Sequence, residues 1–197
     1  AGYPLYFAGQ AIRILGNWIQ QVALGWLVYL LTGSAMLLGT VAFLTQIPQL
    51  VVSPLAGIVI DRSNIRQLMI VVQLAMLLQA VSLAVLTWFG LVVPWHILVA
   101  ATVFGILNSF DVPLRHAYTS QLVPDRQDLP NAIALNRWFF YLARFIGPPL
   151  AGFILTHTSE ASCFALNAIS FVATIGVLLY LRTSSQAHSS AAFADAL

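Results

Sequence analysis

Three long runs contain no Asp, Glu, Lys or Arg, and they constrain the fold more than any other feature. They cover residues 36–60, 67–90 and 161–181. About 20 apolar residues in a helix span the hydrocarbon core of a bilayer. In hydrocarbon, every backbone polar group needs an internal partner, which only helices and closed barrels provide. Barrel strands alternate apolar and polar residues, and these runs do not alternate, so the sequence predicts transmembrane helices.

Composition extends this prediction to the whole chain. Of its 197 residues, 60% are hydrophobic and 7% are charged, whereas soluble domains carry about 25% charged residues. A net charge of +2 is too small for a nucleic-acid surface. We therefore expect an all-α membrane protein in which residues 1–182 form one bundle of six transmembrane helices. The predicted helices cover about 5–31, 36–60, 67–90, 95–114, 130–156 and 161–181.

The two ends of the chain carry separate expectations. Residues 183–197 are rich in Ser and Ala and lack a sustained apolar face, so we expect a disordered polar tail. The chain does not begin with Met, and we expect residue 1 to be a truncation point.

The arginines predict the orientation, because cytoplasmic loops carry an excess of basic residues. All 8 basic residues are arginines, and five of them fall on one side of the predicted bundle, with none in the loops opposite. These five are Arg62, Arg66, Arg115, Arg126 and Arg182. We therefore expect a multi-pass protein of the cytoplasmic (inner) membrane with both termini in the cytoplasm.

The other three arginines, Arg13, Arg137 and Arg144, lie inside predicted helices. A charge at that depth costs at least about 2.5–3.5 kcal/mol, so we expect these side chains to face a wet cavity or the protein interior. Polar residues share a helical face with the arginines or with each other on four helices. They are Arg13, Asn17 and Gln20; Gln46, Gln49 and Ser53; Asn108, Asp111 and Arg115; and Arg137 and Arg144.

These faces predict a substrate cavity with excess positive charge, which either an acidic group from a second half or an anionic or catecholate-like solute would compensate. Its predicted residues are Arg13, Asn17, Gln20, Gln46, Gln49, Asn108, Arg137 and Arg144. Hydrogen bonds between helices are the alternative interpretation of the amides. Asp111 is a weak candidate for proton coupling, which needs a partly desolvated carboxylate. Its predicted place near the cytoplasmic end of a helix favours instead an ion pair with Arg115.

The loop after the second predicted helix resembles the signature loop of the major facilitator superfamily, Gly-x-x-x-Asp-Arg-x-Gly-Arg-Arg. Four residues match it: Gly57, Asp61, Arg62 and Arg66. Asn64 replaces a glycine and can adopt the left-handed turn conformation almost as glycine would; Ile65 replaces an arginine. The resemblance implies that Asp61, Arg62 and Arg66 belong to a group of charged residues between helices that latches a cytoplasmic gate. The alternative is a role in topology and helix capping.

The fifth predicted helix contains Gly147, Pro148, Pro149 and Gly152, which resemble the Gly-Pro-x-x-Gly-Gly element of proton-coupled antiporters in that superfamily. Ala151 stands where the family has glycine. Proline inside a helix removes a backbone hydrogen bond, so this segment is predicted to kink. A kink without a coupling role is the alternative.

Further segments resemble the enterobactin-exporter-type branch of the superfamily. They are Gly9-Gln10, residues 16–26, 108–115, 122–124 and 129–136. The resemblance covers about residues 3–181 and implies the N-terminal half of a twelve-helix transporter, built from two inverted three-helix repeats. It also implies secondary active transport by proton-coupled efflux of a small anionic or siderophore-like molecule. The expected partners are the bilayer, the solute, protons and a second six-helix half, with no nucleic acid and no cofactor.

Other classes of function remain as alternatives. An intramembrane serine protease would use Ser109 or Ser170, but no histidine is predicted at the same depth. A non-transporting scaffold or an inactive fragment is the third reading, and a homodimer of six-helix chains is a less favoured assembly. Cys163 stands alone and the histidines lack metal-ligand spacing, so we expect no disulfide, metal or catalytic site.

Overall fold

Six α-helices account for the described part of the chain, which covers residues 2–122 and 129–194 of a computed structural model. Side chains are described at 6–119, 131 and 133–180. The helices are α1 (Gly2–Thr32), α2 (Ala35–Asp61), α3 (Ile65–Trp88), α4 (Pro94–Leu122), α5 (Leu129–His157) and α6 (Glu160–Ala194). All six are long and apolar enough to cross a membrane. The predicted all-α class and the number of helices are confirmed.

Two helices extend beyond their predicted ends. α4 continues to Leu122, whereas the sequence predicted an end near residue 114. The predicted end rested on charges that lie inside the helix and pair with each other, as described below. α6 continues through residues 183–194, where a disordered tail was expected; alanine, which is frequent there, is the strongest helix former. Arg126 lies outside the described residues, and so does the side chain of Arg182.

Short connections join the helices, and each has a clear local cause. Gly33 and Gly90 adopt positive φ angles of 62° and 67°, which glycine tolerates best. Ser34 caps α2 by accepting a hydrogen bond from the Leu37 amide. Asn64 caps α3 in the same way, with the Gln67 amide as donor. Its φ is −70°, so Asn64 does not use the left-handed conformation that asparagine can adopt.

The helices pack in a pattern with internal symmetry. α1 contacts α5 and α6, α4 contacts α2 and α3, and α3 contacts α6. Exchanging α1, α2 and α3 with α4, α5 and α6 reproduces each of these pairings. This is the relation expected of two three-helix repeats. α2 and α5 are the least buried helices: only 11% and 17% of the residues in their most apolar 18-residue segments are buried. The described residues of α2 and α5 do not contact each other, so the bundle is open between them.

Candidate solute cavity

A cavity of about 610 Å³ lies between α1, α2, α4 and α5. Seven of the eight residues predicted for a substrate cavity line it: Arg13, Asn17, Gln46, Gln49, Asn108, Arg137 and Arg144. The polar faces predicted on four separate helices therefore meet in one space. Ser53 is not among the lining residues, and neither is any residue of the described parts of α3 and α6.

Gln20, the eighth predicted residue, belongs elsewhere. It donates a hydrogen bond to Gln79 on α3 at 2.9 Å and accepts one from Asn167 on α6 at 2.8 Å. Asn167 also donates to Asn17 at 3.3 Å. Gln20 is thus part of an amide network that joins three helices, and its placement in the cavity was wrong. For this residue, the alternative of hydrogen bonding between helices was the correct one.

The cavity wall is strongly cationic. Four arginines line it, Arg13, Arg115, Arg137 and Arg144, while no lining residue among those described is acidic. Arg137 and Arg144 are exposed on the cavity side of α5, and Arg13 is fully buried. At close range and away from bulk water, such a wall attracts anions and repels cations.

Two of the arginines that line the cavity belong to a group of charges that we call the charge cluster: Arg13, Asp111 and Arg115. Asp111 Oδ2 lies 2.9 Å from Arg13 Nη2 and accepts a hydrogen bond from Arg115 Nε at 3.1 Å. Gln73 on α3 donates to Asp111 Oδ1 at 2.9 Å. Asp111 is 1% exposed and lies well inside α4. Its expected position at a helix end was therefore wrong, although the expected ion pair with Arg115 is present.

Aromatic side chains form one side of the cavity. Trp18 on α1 contacts the edge of Phe140 on α5, with ring centroids 5.9 Å apart. The Arg144 guanidinium lies 5.6 Å from the Trp18 ring centroid, within range of a cation–π interaction. Tyr141 also lines the cavity, and the spacing of polar residues did not predict this aromatic side.

The segment that resembles an antiporter motif is positioned by close packing. α5 remains helical through Pro148 and Pro149. A Cβ added to Gly147 would come within 2.6 Å of Trp18 Cβ, so only glycine permits this approach of α5 to α1. Gly152 meets nothing within 4 Å in this chain. Of the two glycines of the motif, only Gly147 packs against a residue that lines the cavity, Trp18.

The four gate-motif residues lie around the connection between α2 and α3: Gly57 and Asp61 in the last turns of α2, Arg62 in the connection, and Arg66 in the first turn of α3. Asp61 and Arg62 are exposed, and neither has an ion pair within the described residues. Arg66 donates through Nε and Nη2 to the Leu178 carbonyl on α6. Gly57 meets nothing within 4 Å, so a close helix approach at this glycine is not seen here.

The serines considered for an enzyme have structural partners. Ser109 Oγ donates to the Gly105 carbonyl and Ser170 Oγ to the Asn167 carbonyl. Neither hydroxyl bonds a histidine in the ranges that the structure covers. No nucleophile–base pair therefore supports catalysis at Ser109 or Ser170.

A multi-pass helical bundle with a polar, arginine-lined cavity is typical of the class of membrane transporters. Residues 4–195 match the family model described as transmembrane secretion effector, within the major facilitator superfamily, and the chain belongs to this family. The family resemblance seen in the sequence is thereby confirmed.

Known transporters are similar over most of the chain. It is 32% identical over 177 residues to the staphyloferrin A transporter of Staphylococcus aureus, covering 89% of this chain and 44% of the relative. It is 25% identical over 173 residues to macrolide efflux protein A of Streptococcus pyogenes, covering 88% of this chain and 41% of the relative. The chain therefore spans less than half the length of these curated relatives.

Proposed function

We propose that this bundle is one half of a secondary active exporter for a small anionic solute, driven by the proton gradient. The cationic cavity wall carries the proposal, because four arginines line it and no described lining residue is acidic. A solute with carboxylate, phosphate or catecholate oxygens would supply the missing negative charge. The aromatic side of the cavity, formed by Trp18, Phe140 and Tyr141, suits a solute that also has a planar part.

The remaining elements of the proposal have separate support. The family membership and the name of the staphyloferrin A transporter support transport, and the name of macrolide efflux protein A supports export. A second six-helix half would cover the open side between α2 and α5. The arginine distribution supports cytoplasmic termini. Proton coupling rests on the antiporter-like segment at Gly147 and Pro148.

Transport by the complete protein in proteoliposomes tests the proposal. The probes are citrate, glycerol 3-phosphate and 2,3-dihydroxybenzoate, with tetraphenylphosphonium as a cationic comparison. We expect an imposed pH gradient to drive accumulation of at least one anion, and none of the cation. Transport of the cation alone would overturn the anionic class. Absence of any binding or transport would favour a non-transporting scaffold.

Matched arginine variants locate the site. Arg144→Gln removes a charge from the cavity wall, whereas Arg62→Gln removes one from the exposed loop. We expect Arg144→Gln to weaken binding of the transported anion and Arg62→Gln to leave equilibrium binding unchanged. An equal effect of both variants would show that net charge, and not the cavity, determines binding.

A further inference from the structure

The residues of the charge cluster are held in a specific geometry, which simple electrostatic attraction of anions does not require. Both carboxylate oxygens of Asp111 are engaged: Oδ1 by Gln73, and Oδ2 by Arg13 and Arg115. The three partners come from α3, α1 and α4, so residues of three helices fix the position of the carboxylate. Such a carboxylate orients its partners, as outer-shell groups orient the ligands of a metal.

The two arginines have donors left over. Arg115 Nε is fixed by Asp111, which leaves the rest of its guanidinium for a second partner. Arg115 has a 15% exposed side chain and lines the cavity. Arg13 Nε donates to Gln10 at 3.0 Å and Nη2 lies 2.9 Å from Asp111 Oδ2, while Nη1 makes no hydrogen bond to a described residue. Because Arg115 lines the cavity, its remaining donors can bind another group there.

We infer that Asp111 is a positioning residue that holds Arg115 and Arg13 together as a subsite for one oxyanion group of the solute. Arg115 contacts the oxyanion from the cavity wall. Arg13, which is fully buried, supplies the second positive charge from behind it. The inference rests on the proposed function and adds that Asp111 serves solute binding and does not carry the coupled proton.

Charge counting separates positioning from simple attraction. Two arginines and one aspartate give the charge cluster a net charge of +1. Asp111→Asn raises this to +2, so attraction alone predicts tighter binding of an anion, whereas loss of positioning predicts weaker binding. The double variant Arg13→Gln/Asp111→Asn keeps the net charge at +1, because only Arg115 remains charged. It also avoids leaving the fully buried Arg13 without the carboxylate that neutralises it.

Titratable neighbours define the pH control. Tyr6 on α1 and His116 on α4 are close enough to Asp111 to interact with it electrostatically, besides Arg13 and Arg115. A binding curve measured against pH therefore reports on several groups. If Asp111 only positions the arginines, Asp111→Asn changes the affinity and leaves the pH midpoint of binding where it is in the wild type.

The experiment uses the complete protein in proteoliposomes, with citrate and glycerol 3-phosphate as probes for carboxylate and phosphate. We expect Asp111→Asn and the double variant each to weaken binding of the preferred probe by about tenfold or more. The solute concentration that gives half-maximal transport should rise, while the maximal transport rate per folded protein should remain unchanged. Arg115→Lys, which keeps the charge but not the planar guanidinium, should weaken binding as well. Glu160→Gln, which removes a carboxylate at the first residue of α6 and outside the charge cluster, is the control.

Two results would overturn the inference. The first is unchanged or tighter anion binding in the double variant. The second is retention of solute exchange in Asp111→Asn with loss of transport driven by the pH gradient, since that pattern marks a proton carrier. If the wild type binds neither probe but transports another class of solute, the proposed anionic function fails as well, and the two failures are distinguished by the wild-type measurement.

Discussion

Gly147 of α5 lies directly against Trp18 of α1, so close that an added Cβ would come within 2.6 Å of Trp18 Cβ. This contact sets the distance between two helices that line the cavity. It also joins the antiporter-like segment to the aromatic side of the cavity, since Trp18 contacts both Phe140 and Arg144.

Substitution of Gly147 should therefore be costly. Gly147→Ala is expected to destabilise the protein by about 1–3 kcal/mol, because the helices must separate or Trp18 must move. Gly152→Ala, five residues further along the same helix, meets nothing within 4 Å and should have little effect. Melting temperatures of the two variants in detergent check this. Equal melting temperatures would contradict the packing at Trp18.

The amide network should stabilise the bundle through Asn167. Asn167→Ala removes hydrogen bonds to Gln20 and Asn17 and leaves buried acceptors without donors. Each unsatisfied buried group costs about 1–3 kcal/mol, so we expect a clear fall in melting temperature. Asn131→Ala changes an exposed asparagine and serves as the control. A fall of the same size in both variants would argue against the network.

Arg66 and Arg62 should differ although both belong to the gate motif. Arg66→Ala removes the hydrogen bonds to the Leu178 carbonyl and should cost about 1.5–3 kcal/mol, as hydrogen bonds from charged donors do. Arg62→Ala, at an exposed position, should remain within about 0.5 kcal/mol. Thermal unfolding of both variants measures the difference. A larger loss for Arg62 than for Arg66 would contradict the stabilising role of the contact between Arg66 and the Leu178 carbonyl.

The predicted orientation can be measured by thiol labelling. Cys163 is buried, so a Cys163→Ala background removes the native thiol. With a membrane-impermeant maleimide on intact cells, we expect Leu91→Cys to react and Ser63→Cys to react only after permeabilisation. Both positions are exposed in the structure. The reverse pattern would place the α2–α3 loop outside the cell.

The sequence was sufficient for the helices and for much of the cavity. Apolar runs the length of a bilayer leave the backbone little choice but a helix. Spacing along one helix placed Arg13 and Asn17 on a shared face, and the same rule brought Gln46 and Gln49 to the cavity wall. Family resemblance added the number of helices per half and the repeat relation.

Spacing along one helix does not show which residue of another helix a side chain will contact. Asp111 looked like the end of a membrane segment because a single acid is costly in hydrocarbon, yet Arg13 from another helix makes its burial tolerable. Gln20 has the periodicity of a cavity residue but meets Asn167. One signal was available: Asn167, Ser170 and Thr174 share a face of the otherwise apolar α6, and all three are buried.

The pairing of Arg13 with Asp111 also bears on how the two repeats differ. α1 and α4 hold equivalent places in the pattern of helix contacts, yet α1 supplies the arginine of this pair and α4 supplies the aspartate. The pair thus depends on divergence after any duplication, and swapping α1–α3 for a second copy of α4–α6 would break it.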